Sequence, residues 1–129
     1  MSPIEKAVRR VLSKYATFEG RAPRAEFWWW TLAMFILFAI LRLIDGILLA
    51  PFLGFGAFSD NAGQPLSSLV SLALLLPCIA VAARRLHDTD RNGWWLLLVF
   101  VPLIGPLVLL YFYVQPSDGA NRFGPPNPL

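Results

Sequence analysis

A chain of 129 residues with 57% hydrophobic and 15% charged residues is more apolar than a soluble domain, which carries roughly 45–50% and about 25%. Its single cysteine, Cys78, excludes an intrachain disulfide and reads as a small core residue. The net charge of +3 is gathered at chain flanks with no nucleic-acid-binding motif around it, so nucleic acid is not an expected partner.

The first element expected is an amphipathic helix within residues 1–19. Ser2 and Glu5 have capping-box spacing, and Pro3 suits the first helical position. Ile4, Val8, Val11, Leu12, Tyr15 and Phe18 recur at helical spacing, while Glu5, Lys6, Arg9, Arg10 and Lys14 fall mostly on the other face. A basic amphipathic helix lies in a membrane interface or docks on the protein's own inner loops, and the two are compatible. Residues 1–26 contain no apolar leader core, so the first span is expected to stay attached and to serve as its own insertion signal.

Gly20 and Pro23 end that helix. The first span is expected over 27–50, where Arg42 and Asp45 are the only charges and Trp28, Trp29 and Trp30 mark the headgroup level. About 20 such residues cross a hydrocarbon core of roughly 30 Å. Residues 51–65 read as an apolar loop with Asp60 as its one charge. The second span is expected over 66–86. Pro77 predicts a kink, and Ser67, Ser68 and Ser71 near the outer end are placed to bond between helices. Asp90 to Gly93 make a turn. The third segment, 94–114, is uncharged but broken by Pro102, Gly105 and Pro106. It is either a spanning helix or a re-entrant hairpin of two half-depth helices, since irregular backbone at that depth needs protein or water to satisfy it. The tail, 115–129, reads as coil. The fold class is therefore an all-α integral membrane protein forming a single membrane domain, 1–129.

Lysine and arginine in the flanks set orientation. Residues 1–26 hold six of the eleven, 84–93 hold three and 51–65 hold none. The N-terminus and the 84–93 loop are expected in the cytoplasm, and the Asp60 loop outside. A spanning third segment would put the tail outside, and a re-entrant one inside.

Topology and anchoring account for Arg84, Arg85, Trp94 and Trp95 in the stretch RRLHDTDRNGWW, residues 84–95. They leave His87, Asp88 and Asp90 unexplained. Arg21, Arg24, Arg84, Arg85 and Arg91 are candidates to bind an anionic lipid headgroup, because the planar guanidinium takes phosphate bidentately and basic sites at the inner face take such lipids. Glu26, His87, Asp88, Asp90, Asn121 and Arg122 would orient them. The alternative is that these charges pair with one another and fix the loop. Arg42 and Asp45, spaced i, i+3, would pair on one face of the first span. Ionisable residues inside a span suggest transport or a channel, with an oligomer to supply a pathway. Yet Arg42 lies about 22 Å along the helix from Phe27, near the outer boundary. An enzyme acting on a lipid-linked phosphate is a third reading, but His87, Asp88, Asp90 and Glu26 match no known metal spacing. The expectation is a non-enzymatic accessory protein with no catalytic residue, metal or cofactor. Its expected partners are anionic membrane lipids, a second copy of itself or another membrane protein.

Three motifs stand together: FEGRAPRAEFW at 18–28, RRLHDTDRNGWW at 84–95 and GANRFGPPNP at 119–128. On these the chain resembles, from about Leu12 to Pro128, the YhaH-like bacterial inner-membrane family catalogued as domain of unknown function 805. It departs from the family pattern in small ways at Pro23, Pro126 and Asn127. The resemblance implies a small multi-pass protein of the bacterial inner membrane and implies no activity.

Overall fold

The computed structural model describes residues 2–59 and 63–129, and these are helices joined by turns and coil. Asp60, the charge of the expected outer loop, lies outside the described residues.

Helix α1, Pro3–Ser13, begins where expected, with Ser2 Oγ accepting from the Glu5 N–H at 3.3 Å. Ala7 and Val11 are fully buried, so α1 is docked. Leu12, Tyr15 and Phe18 remain exposed beside that docked face. Helix α2 is Arg24–Ile44; it runs on through a π-helical turn, Asp45–Leu49, and a short helix α3, Ala50–Phe52. Helix α4 is Pro65–Asp88 and continues through Pro77.

The most apolar 18-residue windows within Arg24–Phe52 and Pro65–Asp88 have mean hydropathies of 2.4 and 2.3, yet only 17% and 22% of those windows are buried. Phe35 is 75% exposed and Leu72 73%. A helix at the core of a soluble protein hides such side chains, since monomers rarely expose large contiguous apolar patches. Length and exposed apolar surface together suit a membrane span.

The chain forms two compact units, residues 1–30 with 77–129 and residues 31–76. In the first, the third apolar segment is not one helix. A 3-10 helix, Gly93–Phe100, is followed by a turn at 101–103 and by helix α5, Ile104–Val114. Asn92 Oδ1 caps the first arm by accepting from the Trp94 N–H at 3.0 Å. Proline at 102 and 106 removes backbone donors at the break, and Leu103 takes a left-handed backbone, φ 65°. The arms cross closely at Gly105, where a Cβ would overlap the Leu98 carbonyl. Leu86, Leu109 and Phe112 form the buried core beneath, flanked by Leu96, Leu98, Val108 and Tyr113. The far end returns to α4, with the Asp118 N–H donating to the Asp88 carbonyl at 2.9 Å. The segment is thus two helical arms joined by a turn and not one continuous helix. Arms of 8 and 11 residues measure roughly 16 Å each at 2.0 and 1.5 Å per residue, about half a hydrocarbon core.

In the second unit, the π-helical turn has a local cause. Pro51 has no N–H to offer the turn before it, and the Gly46 carbonyl accepts instead from Phe58 at 3.0 Å. The Phe58 ring lies where a side chain at position 46 would stand, so glycine is required there.

Candidate functional site

The polar residues singled out in the sequence converge at the C-terminal end of α4. Asp88 is their centre and is fully buried. One carboxylate oxygen, Oδ1, accepts from Arg21 Nε at 3.0 Å. The other, Oδ2, accepts from Arg85 Nη1 at 2.7 Å and Ser117 Oγ at 2.5 Å.

Arg21 is 1% exposed and commits its remaining donors to main-chain oxygens. Nη1 donates to Gly119 at 2.7 Å and Gly124 at 2.9 Å, and Nη2 to Asp88 at 3.0 Å and Asp118 at 2.6 Å. Arg85, also buried, donates through Nε to the Tyr113 carbonyl at 3.1 Å and through Nη2 to that of Gln115. Two guanidinium forks thus stitch the segment before α2, the end of α4, the end of α5 and the tail. The planar five-donor group suits this, because it reaches several carbonyls in one plane.

A second buried pair lies beside the first. Arg84 Nη1 donates to Glu26 Oε2 at 2.5 Å, both side chains being wholly enclosed. Arg10 of α1 comes to 3.4 Å from Glu26 Oε1 and donates to the carbonyls of Asn127 at 3.0 Å and Pro128 at 2.8 Å. Arg84 Nε and Nη2 are buried without a hydrogen-bond partner among the described residues. The three buried arginines outnumber Glu26 and Asp88 by one charge.

His87 accounts for a further tie. Its Nδ1 donates to the Gly20 carbonyl at 2.9 Å, since a carbonyl only accepts, and its ring stacks on Phe123 at 4.0 Å and 6°. Asn121 donates to the His87 carbonyl at 3.1 Å and accepts from the Phe123 N–H at 2.9 Å. The remaining sequence candidates lie outside the buried core. Arg24 is exposed and donates to the Val114 carbonyl at 3.2 Å. Arg91 lies over the Phe112 ring at 4.0 Å. Arg122 and Asp90 pair at 3.3 Å, both about half exposed.

The forks of Arg21, Arg84 and Arg85, expected to face a phosphate, are therefore turned inward. The forks of Arg21 and Arg85 are filled by the chain's own oxygens. Sequence reasoning missed Arg10 and Ser117. Arg10 was one of several cations on a polar helical face, and nothing in the tail marked Ser117. Among the described residues, no three His, Cys, Asp or Glu side chains converge as a metal site would require.

Arg42 and Asp45 also part company. Asp45 is buried, and its oxygens accept from the backbone N–H groups of Leu66 at 2.9 Å and Ser67 at 2.6 Å. These are free donors of the first turn of α4, so Asp45 caps that helix from another. No ion pair joins it to Arg42, which is exposed.

Comparison with known proteins gives consistent relatives. A family model described as "Protein of unknown function (DUF805)" matches residues 15–125. The chain is similar to inner membrane protein YhaI of Escherichia coli (strain K12), 47% identical over 116 residues covering 88% of each chain. It is also similar to inner membrane protein YhaH of the same strain, 39% identical over 118 residues covering 90% of this chain and 91% of that one. No solved structure matches at a comparable level.

Proposed function

We propose, from the premise that the chain belongs to the DUF805 family of proteins of unknown function, that it is a small multi-pass protein of the bacterial inner membrane that acts without catalysis. In this reading RRLHDTDRNGWW is an internal clamp. It holds α1, the hairpin and the tail at the inner face, where the exposed cations take anionic lipid.

The distribution of the eleven cations supports this. Arg10, Arg21, Arg84, Arg85 and Arg122 pair with acids. Lys6, Arg9, Lys14, Arg24 and Arg91 pair with none among the described residues, and all five belong to the flanks that orientation assigns to the cytoplasm. Positive charge left over beside a bilayer draws anionic headgroups, at about 1 kcal/mol per basic residue. Lys6 and Arg9 are exposed on α1, next to its uncovered Leu12, so charge and apolar surface coincide as an interfacial helix requires.

The test is lipid retention. The double variant Lys6→Gln/Arg9→Gln, purified from membranes in detergent, should bind phosphatidylglycerol at least about tenfold more weakly, from two contributions of about 1 kcal/mol. Its helix content should be unchanged. Undiminished binding would remove the basis of the lipid reading.

A further inference from the structure

One cation remains outside that account. Arg42 lies on α2 and forms, with Phe38, one wall of a groove of about 310 Å³ whose other residues are Gln64, Ser67, Ser68 and Ser71. We infer that this groove binds the phosphate of a phospholipid headgroup at the N-terminal end of α4. The inference goes beyond the inner-face reading and does not depend on it.

The first argument is charge. A guanidinium in an apolar helix ordinarily has a partner or a function. Asp45, three residues away and the natural partner, gives both oxygens to the first turn of α4. Among the described residues no other acid pairs with Arg42. Asp45 is kept where the helix needs it, and Arg42 faces the groove as a net positive charge.

The second argument is the donor set. Ser67 and Ser71 stand one turn apart on α4 and line the groove with Ser68, whose hydroxyl already donates to the Gly63 carbonyl at 3.2 Å, so the exposed Ser71 is the hydroxyl left to a ligand. The Gln64 amide adds further donors at the mouth. A planar fork with a hydroxyl and an amide donor is a set that phosphate oxygens satisfy, since charge-assisted bonds from arginine to phosphate are short and frequently bidentate. The Asp45 carboxylate already caps the first turn of α4, so the attraction for an anion comes from Arg42 and the side-chain donors.

The third argument is shape and surroundings. The volume is at the small end of ligand cavities, which suits one headgroup phosphate and not a large solute. Leu69 and Leu72 on the same stretch of α4 are 67% and 73% exposed, so apolar surface for acyl chains adjoins the polar groove. A free phosphate ion would use the groove alone, whereas a phospholipid would use both.

The experiment compares the purified full chain with Arg42→Gln, Arg42→Lys and Ser71→Ala. Phosphatidylglycerol and inorganic phosphate are titrated separately and followed by native mass spectrometry. The wild type should hold one lipid that Arg42→Gln binds at least about tenfold more weakly, the loss of a charge-assisted bond. Arg42→Lys, which keeps the charge and loses the fork, and the serine variant should fall between. Lys6→Gln/Arg9→Gln should keep this one lipid and weaken only the further lipids of the inner face, which separates the two sites. Arg42 is exposed, so circular dichroism should show an unchanged fold in its variants. Lipid binding by Arg42→Gln and Arg42→Lys at wild-type affinity overturns the proposal. So does saturation by inorganic phosphate with no preference for lipid, which would assign the groove to the free ion.

Discussion

Asp88 and Asp90 are two residues apart and read alike in the sequence, as a D-x-D pair in a polar loop. Their surroundings separate them completely. Asp88 is fully buried and accepts from Arg21, Arg85 and Ser117. Asp90 is paired with Arg122 at 3.3 Å across a solvated surface. Removing one member of a buried ionic network leaves the others enclosed and uncompensated, a loss of about 3–5 kcal/mol, whereas an exposed pair is worth about 0–1 kcal/mol. Asp88→Ala should therefore lower the unfolding midpoint of the detergent-solubilised protein sharply, and Asp90→Ala should barely move it. Equal effects would mean that Asp88 does not hold the clamp. The sequence showed which residues were polar without an evident reason, but not which way they faced. Arginine at a headgroup boundary serves equally to bind a lipid phosphate or to gather carbonyls. The choice depends on Tyr113, Gln115, Gly119 and Gly124, whose contribution is main-chain oxygen and carries no side-chain signal.

At the scale of elements, the two long helices were legible because apolar length is a property of the sequence itself. The expected 27–50 and 66–86 compare with Arg24–Phe52 and Pro65–Asp88. The third segment was not legible to the same degree. Twenty-one uncharged residues make one helix of roughly 31 Å or two arms of about 16 Å, and either fits a bilayer. Pro102, Gly105 and Pro106 announced a break but not its angle. The angle is decided by the close approach of Leu98 and Gly105 across the turn and by long-range contacts such as the bond from Asp118 to Asp88. Asp45 belongs to the same class. Its spacing from Arg42 suggested an ion pair, while the unmet N–H groups of α4 lie some twenty residues away in sequence. The crossing gives a sharp prediction. Gly105→Ala puts a methyl group into the Leu98 carbonyl, and overpacking of this kind costs about 1–3 kcal/mol. Gly119→Ala, at a position with nothing within 4 Å, is the matched control. A lower midpoint for the first and an unchanged one for the second is the expected pattern. An unperturbed Gly105→Ala would show that the arms do not cross there.

At the scale of the molecule, the path of the third segment would determine which motifs share a side of the membrane. If 93–114 enters and leaves by the same face, the tail lies with α1 and the loop after α4, as the bonds from Arg10 to Asn127 and from Arg21 to Gly119 require. The turn at Leu103, 82% exposed, then lies near mid-depth at the end of arms about half as long as the core is thick. Single cysteines at Ala120 and at Leu103, each in a Cys78→Ala background, test both ends of this arrangement. Ala120 is exposed in the tail, and an impermeant thiol reagent should label Ala120→Cys only after cells are opened. Leu103→Cys should resist the reagent before and after opening and react once the protein is denatured. Labelling of Ala120→Cys in intact cells would put the tail outside. Arg21 and Asp88 could not then be joined to the tail in the membrane, and the clamp would have to be abandoned. Labelling of Leu103→Cys from the outside alone would instead describe a hairpin deep enough to break the far surface. Resistance at Leu103 together with inner labelling at Ala120 is the only outcome compatible with a half-depth hairpin whose two ends are tied to one aspartate.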